Sequence, residues 1–147
     1  FGYNPHYDHT MLFTRHGLYN SSIEDNGING LAKDFGICIP GQRVSLVQGN
    51  DYFETVRTAA HELGHNIGAD HDGEGLSIGC PPEDLFIMSP DVPLFEPEKP
   101  YSKNPWMFSP CSVRTFKRAL KARDCLNNTG IFFNKEEWKN YTMKLPG

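Results

Sequence analysis

The 147-residue chain carries six histidines, and His61, His65 and His71 fall within eleven residues of one another. Their segment reads His61-Glu62-Leu63-Gly64-His65-Asn66-Ile67-Gly68-Ala69-Asp70-His71-Asp72. Residues four apart on a helix share a face about one turn apart, so His61 and His65 can bind one metal ion together. Glu62 is displaced around the helix, where it reaches a water on the metal rather than the metal itself. Gly68 permits a sharp turn, because glycine accepts backbone angles that other residues resist. That turn brings His71 round as a third nitrogen ligand. Three neutral imidazoles with an open fourth position describe a catalytic zinc site, whereas four protein ligands would close a structural one. In such a site zinc lowers the pKa of its water toward ~7, and Glu62 takes the proton as the water attacks a carbonyl. Surface or capping histidines with no shared task are the bland alternative, and the spaced glycine and third histidine speak against it.

The elements that must position these groups are partly legible. His9 to Arg15, with Met11, Leu12 and Phe13, reads as a buried strand, and Val44 to Val47 alternates apolar and polar residues as a second strand does. Between them, Asn20 to Asn29 is loop-like in composition, and Ile28 to Ile39 is ambiguous between strand and irregular structure. From about Tyr52 to Gly68 the period becomes helical. Asn50 or Asp51 can cap its start, Glu54 suits the helix dipole, and Val56, Ala59, Ala60, Leu63 and Ile67 form one apolar face. Gly73 to Trp106 contains seven prolines, so it must fold as turns held by something else. A second helix follows, with Ser109 as N-cap, Pro110 in the first turn and Val113, Phe116 and Leu120 as its apolar stripe. Lys117, Arg118, Lys121 and Arg123 read as its solvated face.

Composition bounds the rest. Hydrophobic residues make up 38% and aromatics 12%, enough for the core of one domain. With 14 basic and 18 acidic residues the net charge is −4, which offers no electrostatic reason to expect nucleic acid or an anionic membrane. No apolar run approaches the ~20 residues of a membrane span. Cys38, Cys80, Cys111 and Cys125 form no Cys-x-x-Cys pair. They read as two disulfides in an oxidising compartment, with four free thiols as the alternative. Acceptor triplets for glycosylation at Asn20, Asn127 and Asn140 add slight weight to a secreted, extracellular location.

The histidine segment matches every specified position of H-E-x-x-H-x-x-G-x-x-H, and so resembles the metzincin metalloproteases. Ile87-Met88-Ser89-Pro90 resembles the methionine turn beneath the zinc site of that family. Asp72, directly after the third histidine, is similar to the adamalysin or reprolysin branch. Gly30-Leu31-Ala32 resembles the substrate-side edge strand, and Phe108 to Ser112 the start of the C-terminal helix. The resemblance covers about His6 to Asn128, and in flavour it is nearest to tick salivary and ADAMTS-like members.

The resemblance implies an α+β fold, metzincin-like, with a twisted mixed sheet, a long zinc-binding helix and a C-terminal subdomain holding the Met-turn and a terminal helix. Met88, Gly68 and Asp72 would be structural. Residues 1–126 would be a partial catalytic domain whose first strands are missing, and 127–147 a linker. On that reading the isolated chain folds poorly or aggregates, whereas one extended at its N-terminal side does not. Four cysteines allow three pairings; the family pattern implies Cys38 with Cys125 and Cys80 with Cys111. A third bridge common in relatives has no counterpart here, so the segment Pro81 to Phe86 is expected to be loose. The family also implies a calcium ion held by Asp8, the Cys125 carbonyl and Asn128. The implied activity is zinc-dependent endopeptidase cleavage of extracellular proteins or peptides, with substrate extended along Gly30, Leu31 and Ala32, and Val92 and Pro93 lining a pocket. The alternative is a catalytically silent, zinc-stabilised binding or adhesion module of the same fold.

Overall fold

In the computed structural model, residues 7–19, 21, 27–49, 52–90 and 103–127 are described. Strands β1 (Thr10–Thr14), β2 (Gly30–Ala32) and β3 (Val44–Gln48) form one mixed sheet in the order β1-β3-β2. β1 runs parallel to β3 and pairs Leu12 with Leu46; β2 runs antiparallel and pairs Gly30 with Val47. The ambiguous stretch after Ile28 therefore contributes a third strand, short and at the sheet edge. Helix α1 (Tyr52–Ile67) packs across β2 and β3, and helix α2 (Pro110–Ala122) lies beyond a run of 3₁₀ turns.

β1 forms where the pattern places it, but it is not buried. Leu12 and Phe13 are both more than half exposed, because among the described residues β1 has one neighbour, β3, and little lies over it. The inward positions of β3 are Ser45 and Val47. Ser45 Oγ bonds His9 Nε2 at 2.9 Å, and His9 Nδ1 meets Asn66 Oδ1 of α1 at 3.0 Å. A polar bridge thus joins strand and helix where a hydrophobic pair would be usual.

The buried face of α1 also differs from its apolar stripe. Val56 is exposed, while Thr58, Glu62 and Asn66 are buried. Asn66, with no exposed surface, donates from Nδ2 to the carbonyls of Lys33 and Gln42, 2.9 Å each. Phe35 N–H bonds the His65 carbonyl and Ile37 N–H the Asn66 carbonyl. The helix therefore lies against loop backbone, where small and polar groups that satisfy carbonyls fit better than branched apolar ones. α2 behaves alike. Its inner face is Cys111, Ser112 and Thr115, while Val113 and Leu120 are exposed. The expected cap is present: Ser109 Oγ accepts the Ser112 N–H at 3.2 Å, with Pro110 next. Arg123 does not belong to a solvated helix face. It follows the last helical residue, and its guanidinium donates to the carbonyls of Ile37 and Phe35 at 2.8 and 2.9 Å.

The small apolar core is Ala69, Ile87 and Met88, with Ala60, Phe108 and Phe116 packed against it. Two disulfides frame it, joining Cys38 to Cys125 and Cys80 to Cys111, the pairing the family resemblance implies. The segment expected to be loose is tied down. Pro82–Asp84 is a 3₁₀ turn, Ser89 Oγ donates to the Pro82 carbonyl, and Asn104 Nδ2 donates to that of Asp84. Side-chain donors from outside the turn thus satisfy its carbonyls. Asn20, Val92, Pro93, Asn128 and Asn140, the candidate cap residues Asn50 and Asp51, and the side chain of Asn127 lie outside the described residues.

Candidate metal centre

α1 presents His61 and His65 one turn apart, and the chain then reverses at Gly68. Gly68 has φ +126°, and a Cβ there would lie 2.5 Å from the Phe35 ring, so both backbone angle and space demand glycine. The reversal brings His71 back. The three Nε2 atoms form a triangle with sides of 3.0, 3.1 and 3.2 Å. The Nδ1 atoms are occupied elsewhere: His61 Nδ1 meets the Ile87 carbonyl at 2.7 Å and His65 Nδ1 the Ala69 carbonyl at 2.9 Å. A carbonyl only accepts, so in both rings Nδ1 carries the hydrogen and Nε2 a lone pair.

Burial pushes the His61 pKa down to about 3, with the neighbouring histidines acting in the same sense. The His65 pKa is lowered too, by burial and then by His71. Both rings are therefore held neutral, the form that binds a metal. Lone pairs turned toward one point about 3 Å apart repel unless a cation lies between them. Tetrahedral bonds of 2.0–2.1 Å would set nitrogen ligands roughly 3.3 Å apart, close to the observed triangle. The donor set fits zinc. Among the described residues this triad is the one grouping of three metal-ligating side chains. Of the calcium set, Asp8 is exposed at the start of the described chain, Cys125 belongs to a disulfide, and Asn128 is outside the described residues.

Glu62 is 6% exposed and lines the same cleft as the three histidines. Burial, and secondarily the Asp34 carboxylate, raise its pKa to about 7, the range in which a group can both take and return a proton near neutrality. Gly30, Leu31 and Ala32 line this cleft with Asp34, Asp70 and Glu74. β2 is hydrogen-bonded to β3 on one side, so its other edge is the one beside the cleft. Met88 is fully buried beneath the helix; a Cβ on Gly64 would lie 2.5 Å from its Sδ. Asp72 Oδ1 accepts from Ser109 Oγ at 2.6 Å, and Asp72 N–H bonds the Met88 carbonyl. Asp72 thereby joins the third ligand's segment to both the methionine turn and the cap of α2.

One residue of this centre was not foreseen. Arg57, one turn before His61, donates from Nη2 to the carbonyls of Ile87 and Ser89 at 3.0 and 3.1 Å. The Ile87 carbonyl is the same one that orients His61. Nothing in the local pattern announces this, since the partners lie 30 and 32 residues away and are backbone atoms.

A three-stranded mixed sheet, a helix carrying two histidines, a third histidine beyond a glycine turn and a buried methionine below define an α+β metal centre of the metzincin type. The sequence matches the profile of metallo-peptidase family M12, reprolysin type, over residues 6–106, and the chain belongs to that family. It is 30% identical over 124 residues to human "A disintegrin and metalloproteinase with thrombospondin motifs 3", covering 84% of this chain and 9% of that protein. It is 34% identical over 112 residues to the bovine motifs-4 protein, covering 74% of this chain and 12% of the relative. It is 41% identical over 105 residues to the snake venom metalloproteinase fibrolase of Macrovipera lebetinus, covering 70% of this chain and 46% of fibrolase. The chain thus spans about a tenth of the first two relatives and under half of the third. No helix among the described residues is long and apolar enough to cross a membrane.

Proposed function

We propose that the chain carries the zinc centre of an endopeptidase that hydrolyses peptide bonds of extracellular proteins. The observation that carries this reading is the triangle of three histidine Nε2 atoms with the buried Glu62 carboxylate in one cleft, beside the edge of β2 that no strand among the described residues covers. Zinc, when bound by His61, His65 and His71, supplies Lewis acidity that acidifies water and polarises the scissile carbonyl. Glu62 accepts the proton released as water attacks, and then returns it to the departing amine. The backbone of Gly30 to Ala32 adds an extended peptide to the sheet as a further strand, which holds the scissile bond in place. Family membership, the disulfides and the venom relative support a secreted setting.

The test is cleavage of a denatured protein by zinc-loaded protein, with and without chelator, wild type against Glu62→Gln. Wild type should cleave and lose activity to chelator. Glu62→Gln should keep one zinc and lose activity by about 100- to 10,000-fold. Near-normal turnover by the variant would refute the mechanism. Zinc binding with no turnover by either protein would favour a silent binding module.

A further inference from the structure

Gly30 begins β2 and is placed in register opposite Val47. Glycine inside a strand weakens it and needs a reason. Backbone angle is not the reason, since the glycines in the left-handed region are Gly41, Gly68, Gly73 and Gly75. The reason is space. A Cβ built on Gly30 would lie 2.6 Å from both Cγ and Cδ of Glu62, and closer still to Oε1. All three of its nearest neighbours belong to that one side chain. Real Cβ atoms essentially never approach within 3.0 Å, so one partner must yield. β2 is pinned by β3, and α1 by the sheet and the loop carbonyls. The group with freedom to move is the far end of Glu62.

We propose that Gly30 is a positioning residue for catalysis: its missing side chain is the slot in which the Glu62 carboxylate sits beside the metal-binding triad. This rests on the endopeptidase reading and adds to it. The strand that lays out the substrate also sets, from behind, where the proton acceptor stands. Displacement of a reacting group by about 1 Å costs on the order of 100-fold in rate. A methyl at Gly30 demands movement of that order from the Glu62 carboxylate.

The test uses zinc-loaded wild type, Gly30→Ala, Glu62→Asp and the double variant Gly30→Ala/Glu62→Asp, with Gly17→Ala as control. A Cβ at Gly17 meets nothing within 4 Å, so that control should behave as wild type. Gly30→Ala should lower kcat by about 10- to 100-fold, with KM, zinc content and melting temperature unchanged. Aspartate withdraws the carboxylate by one methylene, so adding the methyl to Glu62→Asp should cost less than about threefold. An equal loss in both backgrounds, or a loss confined to KM, would put the effect on substrate at the strand edge and overturn the proposal. Failure of Gly30→Ala to fold would do so too, because the strain would then lie in the backbone. A fully active Gly30→Ala beside an inactive Glu62→Gln would sink this proposal and leave the endopeptidase reading standing. An active Glu62→Gln would sink the reading itself.

Discussion

On one side of α1, Met88 and Ile87 are buried against Ala60 and Gly64, two backbone carbonyls orient two histidines, and a disulfide joins the segment leading into the turn to α2. On the other side lies a sheet whose Leu12, Phe13, Leu31 and Val44 are 58, 56, 51 and 43% exposed. The ligand geometry is set from the first side, where packing leaves no freedom. The sheet contributes an edge and a slot for Glu62, and for that its own burial is unimportant. Rigidity is concentrated where nitrogen positions must hold to tenths of an ångström, and spent sparingly elsewhere.

The strongest way to break this contrast is to cut the covalent ties. Cys80 and Cys111 close a loop of 31 residues, whose loss costs about 3–4 kcal/mol by chain entropy. Cys38 and Cys125 close 87 residues, for about 4–5 kcal/mol. Cys38→Ser/Cys125→Ser should therefore be the less stable double variant in urea. Yet Cys80→Ser/Cys111→Ser should lose more zinc affinity, because its bridge ties the segment between His71 and Met88 to α2. Equal zinc affinity in the two variants would contradict a site rigidified from the turn side.

Next in size is Arg57→Met, which keeps the aliphatic stem and removes the donor to the Ile87 and Ser89 carbonyls. Partners that orient a ligand are worth about 10- to 100-fold in metal affinity. Zinc affinity should fall by that factor in a chelator competition, with the melting temperature of the metal-free protein lowered by much less. A variant with unchanged affinity would mean that the Ile87 carbonyl is held without Arg57.

What was legible in the sequence follows the same division. His61, Glu62, His65, Gly68 and His71 could be read because a helix and one glycine turn relate them locally, and the Ser109-Pro110 start of α2 is a local signal as well. Arg57 and Asn66 could not, because their partners are main-chain carbonyls of distant loops and no residue type marks a carbonyl. The apolar stripes misled at Val56, Val113 and Leu120 for a related reason. Periodicity finds the face that would sit against side chains, whereas here buried inner positions such as Asn66 in α1 and Ser112 in α2 meet backbone carbonyls and capping groups. β1 was found by its β-compatible run, but that run is silent on whether anything covers it.

Gly64→Ala probes the packed side more gently. Alanine in mid-helix gains about 0.5–1 kcal/mol of propensity over glycine. Against that, its Cβ would press on Met88 Sδ at 2.5 Å and on Phe108 at 3.2 Å, and overpacking costs about 1–3 kcal/mol. The net should be a destabilisation of about 1 kcal/mol. Adding Met88→Ala should remove the clash, so the Gly64→Ala penalty should vanish or reverse in that background. A penalty that persists would place the strain somewhere other than the methionine.

The smallest effect belongs to the sheet. Leu12→Thr keeps a branched residue suited to a strand while removing apolar surface that is already in water. Exposed substitutions of this kind change stability by about 0.5 kcal/mol or less. Their consequence should instead be intermolecular. Leu12, Leu31 and Val44 line one hollow on the sheet, and an edge strand with apolar neighbours is a template for self-association. Leu12→Thr/Leu31→Thr should therefore leave the urea midpoint nearly unmoved while lowering the mass seen in concentration-dependent light scattering. A loss of stability comparable to that of Gly64→Ala would show that residues outside those described cover this face, and the contrast between the two sides of α1 would then be one of chain coverage rather than of design.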